Sequence, residues 1–418
     1  MLAANSRRRL RRPLLAVSVL ACLLAFLVPG RASAATNGLS YGVNLGSVMR
    51  LAPAERDRHL AAITATGIEA ARADAAWVTG EPVQVDPVSG THSYDWSTFD
   101  TLAGSLAMHR LRWLPILDYS TGWSSSIAGD LFSPPTRDSD FAAYADAFAA
   151  RYGRGGSFWA THPEIPSLPV EQYEIWNEPN AALFWHPQSD APERYVDLYL
   201  LARDSIHRVD PAATVVTGGL LEAAAETSPR AFLRRMVDHR PDAVDRIDAV
   251  GYHPYLFTAG ADLRAIERVR GTMADIGLAR TPLAITEVGQ TRAAVSDRTR
   301  AAIIGGLARR LPGTGLRVTN FVPYAWMTAT GEGQPNDYGI AGWDATLDPA
   351  GAAFVRVVRS DARPATAAGN ATATLEPQGP RMDVNAPPDL KGGWHKRSRA
   401  GCRRKRARWS PRCALRLH

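Results

Sequence analysis

A chain of 418 residues is long enough for one large α/β barrel or two average domains. Its formal charge of +7 sits at the two ends: residues 1–34 carry six arginines and no acid, residues 391–418 carry eleven Lys or Arg and no acid, and subtracting these cations leaves −10 for residues 35–390. That acidic body gives no reason to expect nucleic-acid binding and is ordinary for a soluble exported protein.

In chain order, Arg7, Arg8, Arg9, Arg11 and Arg12 precede an apolar run from Leu14 to Val28, and Ala32-Ser33-Ala34 follows. A basic start, a short apolar stretch and an A-x-A site predict a secretory signal over residues 1–34, with cleavage near Ala34 and a secreted or extracytoplasmic location. The run is shorter than the ~20 residues of a spanning helix. Ser6-Arg7-Arg8-Arg9-Leu10 also has the shape of a twin-arginine motif, so the export route stays open.

From residue 39, short apolar strands alternate with alanine-rich amphipathic helices. Strands are expected near Leu39–Leu45, Gly67–Ala73, Arg112–Leu117, Tyr173–Asn177, Thr214–Gly218, Ile247–Tyr252, Leu283–Thr286 and Val318–Ala325. Helices are expected near Pro53–Thr66, Thr98–His109, Asp138–Tyr152, Pro192–Val209, Pro229–His239, Asp262–Ile276, Ser296–Leu311 and Pro349–Val358. Eight such units predict a (β/α)8 TIM barrel as a single domain over residues 35–360. An open doubly wound sheet would want G-x-G-x-x-G after its first strand, and Gly42-Val43-Asn44-Leu45-Gly46 lacks that spacing. Long loops after the second, third and eighth strands bring Trp77, Trp123 and Trp343 to the carboxyl-side face, where Trp185 also falls. Trp96 and Trp176 read as packing residues.

Residues 361–390 shift to Ala, Thr, Pro, Gly and Asn without hydrophobic periodicity, which predicts a disordered linker carrying a sequon at Asn370. The basic tail over residues 391–418 suits anionic envelope polymer, membrane or nucleic acid, or simply a solvated extension. Cys402 and Cys413 could form one local disulfide in an exported protein. No Cys or His pattern has zinc spacing, so no metal and no cofactor are expected.

Chemistry concentrates in two stretches of the same grammar. Tyr173-Glu174-Ile175-Trp176-Asn177-Glu178-Pro179-Asn180 is a short apolar strand with Glu178 at its exit, and Leu283-Ala284-Ile285-Thr286-Glu287-Val288-Gly289 repeats the pattern at Glu287. These are the exits of the fourth and seventh strands, so both carboxylates should face one mouth. Alone, either could cap a helix. Facing each other, they are what cleavage of a glycosidic bond requires.

Trp176-Asn177-Glu178-Pro179 followed by Ile285-Thr286-Glu287 resembles the retaining glycoside hydrolases of clan A, most closely glycoside hydrolase family 39, with family 5 cellulase-type enzymes as near relatives. The resemblance covers about Leu39 to Val358. It implies an O-glycosidase with Glu178 as acid/base and Glu287 as nucleophile. It further implies Asn177 on the sugar 2-hydroxyl, Arg72 beside the nucleophile, and His253 and Tyr255 hydrogen-bonding nucleophile or substrate. Trp326 would form the floor of the subsite at the cleavage point. Many family 5 enzymes carry a histidine at the end of strand three, where Leu117-Asp118-Tyr119 stands here. A barrel that binds carbohydrate without catalysis and a transglycosylase are the alternatives.

Overall fold

The parallel strands of this chain are largely buried, as packing between an outer layer of helices and a filled interior demands, and the polar residues they carry are mostly buried with them. A computed structural model describes residues 39–361 apart from Pro87, Ala224 and 329–336. Nine strands form its sheet: β1 Ser40–Asn44, β2 Ala70–Ala76, β3 Arg112–Asp118, β4 Gln172–Ile175, β5 Thr214–Thr217, β6 Leu220–Leu221, β7 Val250–His253, β8 Leu283–Val288 and β9 Val318–Pro323. Their order is β5-β4-β3-β2-β1-β9-β8-β7-β6, and every named pairing is parallel. A bridge between Val216 and Ala249 joins the two ends and closes the barrel. The fifth barrel position is thus shared by β5 and β6, and β7, β8 and β9 occupy positions six, seven and eight.

The break between β5 and β6 has a local cause in Gly218-Gly219. A Cβ on Gly219 would lie 2.0 Å from His253 Nε2, so only glycine lets the backbone pass the imidazole. The amide freed there donates to Glu174 at 2.9 Å.

The helices are α1 Pro53–Ala65, α2 Trp77–Gly80, α3 Ser97–Met108, α4 Asp138–Tyr152, α5 Ser157–Thr161, α6 Ala191–Val209, α7 Pro229–His239, α8 Ala259–Asp275, α9 Asp297–Arg310 and α10 Pro349–Asp361. Side chains of Ser228, Thr258 and Ser296 accept from the amides of Ala231, Ala261 and Thr299, and so cap α7, α8 and α9. The Thr258 cap starts α8 three residues ahead of the expected Asp262. The last helix runs past the expected Val358 because Tyr41 donates to Asp361 at 2.5 Å and draws the end of α10 against β1.

Trp96 and Trp176 pack as expected, Trp96 among Tyr94, Tyr144 and Phe148, and Trp176 against Trp185. Trp77 and Trp185, read as loop aromatics, are also fully buried, whereas Trp343 is exposed. The buried Arg300 donates to Asp348 and to the carbonyls of Gln290, Tyr338 and Gly339, which ties the segment after β9 to α9. The signal expected at 1–34 and the basic tail, with Asn370, Cys402 and Cys413, lie outside the described residues. So does the expected linker, apart from Asp361 at the end of α10.

Candidate active site

Four barrel positions, the second, fourth, sixth and seventh, deliver side chains to one buried cluster. From β2, Arg72 donates through Nε to Glu174 at 2.7 Å, through Nη1 to Glu287 at 2.5 Å and through Nη2 to Asn177 Oδ1 at 3.0 Å. On leaving β4 the chain turns sharply, with Trp176 and Glu178 at φ 67° and 45°. The Trp176 indole N–H donates to Phe184 O at 2.7 Å, and Asn180 exchanges hydrogen bonds with Leu221 across the loop. These anchors hold Glu178 over the barrel mouth. From β7 comes His253, and just beyond it Tyr255 at φ 44°. From β8 come Thr286 and Glu287.

Among the described residues, four of the seven non-glycine positions with positive φ lie in or against this group: Trp176, Glu178, Tyr255, and Tyr119, whose ring packs on Trp176 at 5.7 Å. Each such conformation costs on the order of 1–3 kcal/mol and persists only where the surroundings impose it, as functional sites do.

The two glutamates have opposite neighbours. Glu287, 7% exposed, accepts from Arg72 Nη1 and from Tyr255 Oη at 2.6 Å. Glu178, 5% exposed, has His253 Nδ1 at 2.7 Å from its Oε1. Burial raises both carboxyls, but at Glu287 the guanidinium and the phenol oppose it. Glu178 is pushed well above the ordinary carboxylate range, first by burial and then by the charge of Glu287, with Arg72 only partly compensating. Burial, with Arg72, holds His253 well below the usual imidazole range, so its ring is neutral. One oxygen of Glu178, one of Glu287 and a ring nitrogen of His253 lie within 4.8 Å of one another, the only such grouping among the described residues. Both nitrogens of His253 are already engaged, with Glu178 at 2.7 Å and Thr286 at 3.0 Å, so the group is a hydrogen-bonded acid–base cluster.

Of the residues singled out in the sequence, Glu178, Glu287, Arg72, Asn177, His253 and Tyr255 converge here. His253, expected beside nucleophile or substrate, contacts Glu178 and lies 3.9 Å from Glu287. Trp326, the expected subsite floor, stands elsewhere: it is 0% exposed and its indole N–H donates to His59 of α1 at 2.9 Å. Of the aromatics that follow the eighth strand position, Tyr324 is the one within electrostatic reach of Glu287, Asp74 and Arg72, and it packs on Tyr338 at 5.3 Å. Glu174 and Thr286 escaped the sequence reading. A glutamate in the middle of an apolar strand was the available signal for Glu174, since a buried arginine on β2 needs such a partner.

Asp118 ends β3, 0% exposed, and neither oxygen has a hydrogen-bond partner within the protein. Burial, with Asp74, raises its pKa well above the ordinary range. A carboxyl raised in the folded state favours folding only at low pH and costs stability as pH climbs from its unfolded value towards its folded one. Asp118→Asn should therefore melt higher than wild type by roughly 2 °C or more near neutrality, with the gap closing towards pH 4, as thermal unfolding across pH will show.

A cavity of ≈ 460 Å³ opens beside the pair rather than over it, lined by Asn44, Arg50, Arg56, Asp74, Ser97 and Phe99 among others. Asp74 also acts electrostatically on Arg72, so this cavity adjoins the cluster.

No protein-family model and no curated protein matches the sequence. Among solved structures, a monomeric beta-xylosidase from Caulobacter crescentus CB15 superposes with a TM-score of 0.59 at 19% identity, over 76% of this chain and 67% of that one. The likeness shows a shared barrel fold. A family 39 glycoside hydrolase from Bacteroides cellulosilyticus WH2 matches at TM-score 0.56 and 18% identity, over 76% of this chain and 63% of its own. A broad-specificity endoglucanase of family 5 from Clostridium acetobutylicum matches at 0.52 and 14%, over 77% and 96%. Both groups named by the motif resemblance are thus represented, and this chain spans about two thirds of the length of the first two.

Proposed function

We propose that this chain is a retaining glycoside hydrolase, directed out of the cytoplasm by the leader read in residues 1–34. The observation that carries the reading is the opposed pair itself. Glu287 is held between the Arg72 and Tyr255 donors, Glu178 is buried without a cation at hydrogen-bond distance, and an oxygen of each lies within 4.8 Å of the other. Retaining enzymes place their carboxyls ~5–5.5 Å apart, whereas inverting ones leave ~6.5–9.5 Å for a water.

In the first step the Glu178 proton passes to the glycosidic oxygen while Glu287 attacks the anomeric carbon. The bond to the leaving group breaks and a glycosyl ester forms on Glu287. In the second step Glu178, now a carboxylate, takes a proton from water, whose oxygen displaces Glu287. Asn177 spends its Oδ1 on Arg72 and so presents its amide N–H₂ to a sugar hydroxyl. No metal or cofactor enters these steps. Carbohydrate is the partner, and the basic tail suits anionic envelope polymer.

A screen of aryl β-xylosides and β-glucosides alongside xylan and cellulose oligomers tests the reading, the first two classes being suggested by the xylosidase and endoglucanase of like fold. Hydrolysis of at least one class is expected. Binding of an oligosaccharide without any cleavage would instead favour a carbohydrate-binding barrel.

A further inference from the structure

We propose that Glu174 and Thr286 are positioning residues that fix the tautomer of His253 so that its Nδ1 presents a lone pair, not a proton, to Glu178. The inference rests on the glycosidase reading for its kinetic consequence but not for its geometry.

The protons can be counted one by one. Glu174 accepts from Arg72 Nε at 2.7 Å, from Arg72 Nη2 at 3.1 Å and from the Gly219 amide at 2.9 Å, donors that cannot act as acceptors. Glu174 is therefore a carboxylate. Thr286 Oγ1 lies 3.1 Å from the same Oε1 and owns a single proton, which belongs on that contact because two bare oxygens at this distance would repel. With its proton spent, Thr286 accepts from the other side, where His253 Nε2 lies at 3.0 Å. The neutral imidazole then carries its hydrogen on Nε2 and has only a lone pair at Nδ1. Glu178 Oε1, at 2.7 Å, must supply the hydrogen of that last bond. The chain Glu174, Thr286, His253, Glu178 thus demands a protonated Glu178, while Arg72 and Tyr255 offer donors to Glu287.

The same device serves the second step. Once Glu178 has given its proton away, its carboxylate faces a lone pair instead of an N–H, and its affinity for a proton from water stays high. The other groups facing Glu178 act from every side: Glu287 from β8, Arg72 from β2, Glu174 from β4, and Tyr119, Tyr255 and Tyr338 from the loops. None of these donates a hydrogen bond to it, and Arg72, whose N–H groups go to Glu174, Glu287 and Asn177, acts on it only through its charge.

Thr286→Val removes the acceptor for Nε2–H and frees the ring to place its hydrogen on Nδ1, which would then stabilise the Glu178 carboxylate. The basic limb of the kcat/KM profile, which reports loss of the proton on Glu178 in free enzyme, should move down by about one pH unit. Thr286→Ser, which keeps the hydroxyl, should leave the limb where it is in wild type. A uniform loss of rate in Thr286→Val with the limb unmoved would overturn the proposal. Nitrogen-15 NMR of the histidine-labelled wild-type full chain, with His253 assigned by difference against His253→Gln, decides the matter if Thr286→Val does not fold. The proposal expects the Nε2–H tautomer, and an Nδ1–H tautomer or an imidazolium would contradict it. That spectrum needs no substrate, so failure of the tautomer and failure of the glycosidase reading are separate results.

Discussion

Glu287→Ala is expected to abolish turnover, with a loss of roughly four to six orders of magnitude in kcat, because removing a covalent nucleophile removes the whole double displacement rather than one contact. The fold should survive. Arg72, buried beneath the pair, keeps Glu174 as a carboxylate partner at 2.7 Å, so its charge is not stranded. The alanine also leaves room at the anomeric carbon for a small anion. Added azide should restore release of activated aryl glycosides and form a glycosyl azide of the opposite anomeric configuration. Kinetics with and without azide, beside circular dichroism, check both points. A folded variant within tenfold of wild type would remove Glu287 from the chemistry.

Glu178→Gln should separate substrates by their leaving groups. General acid help is worth about a hundred- to ten-thousand-fold, so sugars linked to an alcohol or to another sugar should lose that much. Nitrophenyl glycosides, whose leaving group departs without a proton, should lose far less in the first step. The glutamine amide can donate to the Nδ1 lone pair of His253 at the place of the native 2.7 Å bond, so the variant is suited to fold. Its kcat/KM profile should lack the basic limb. A uniform loss across leaving groups would mean that Glu178 binds substrate rather than protonating it.

The barrel was legible because hydrophobic periodicity alternates along the chain, and the two glutamates because each stands where an apolar strand abruptly ends. Contacts between strands distant in sequence were not legible in the same way. Glu174 sits in plain view within β4, but its meaning depends on Arg72 reaching it from β2, one strand beyond β3 and 102 positions earlier in the chain. Thr286 looks like an ordinary strand residue until His253 is seen beside it.

Trp326 shows another limit. The eighth strand position was read correctly from its apolar run, yet which aromatic faces inward depends on how the backbone turns at residues 324–326. There Trp326 Nε1 goes to His59 and Tyr324 stays near Glu287. Trp77 and Trp185 misled for a related reason. A tryptophan in a carboxyl-side segment suits a sugar face and a core equally well, and here Phe141 and Tyr144 of α4 cover Trp77 while the Trp176 cluster covers Trp185.

The central claim, that Glu178 and Glu287 share a double displacement, meets its most direct test in the anomeric configuration of the first-formed product, followed by proton NMR during hydrolysis of a cleaved glycoside before mutarotation. Two displacements at the anomeric carbon predict a product of the same configuration as the substrate. Initial appearance of the opposite anomer would contradict it.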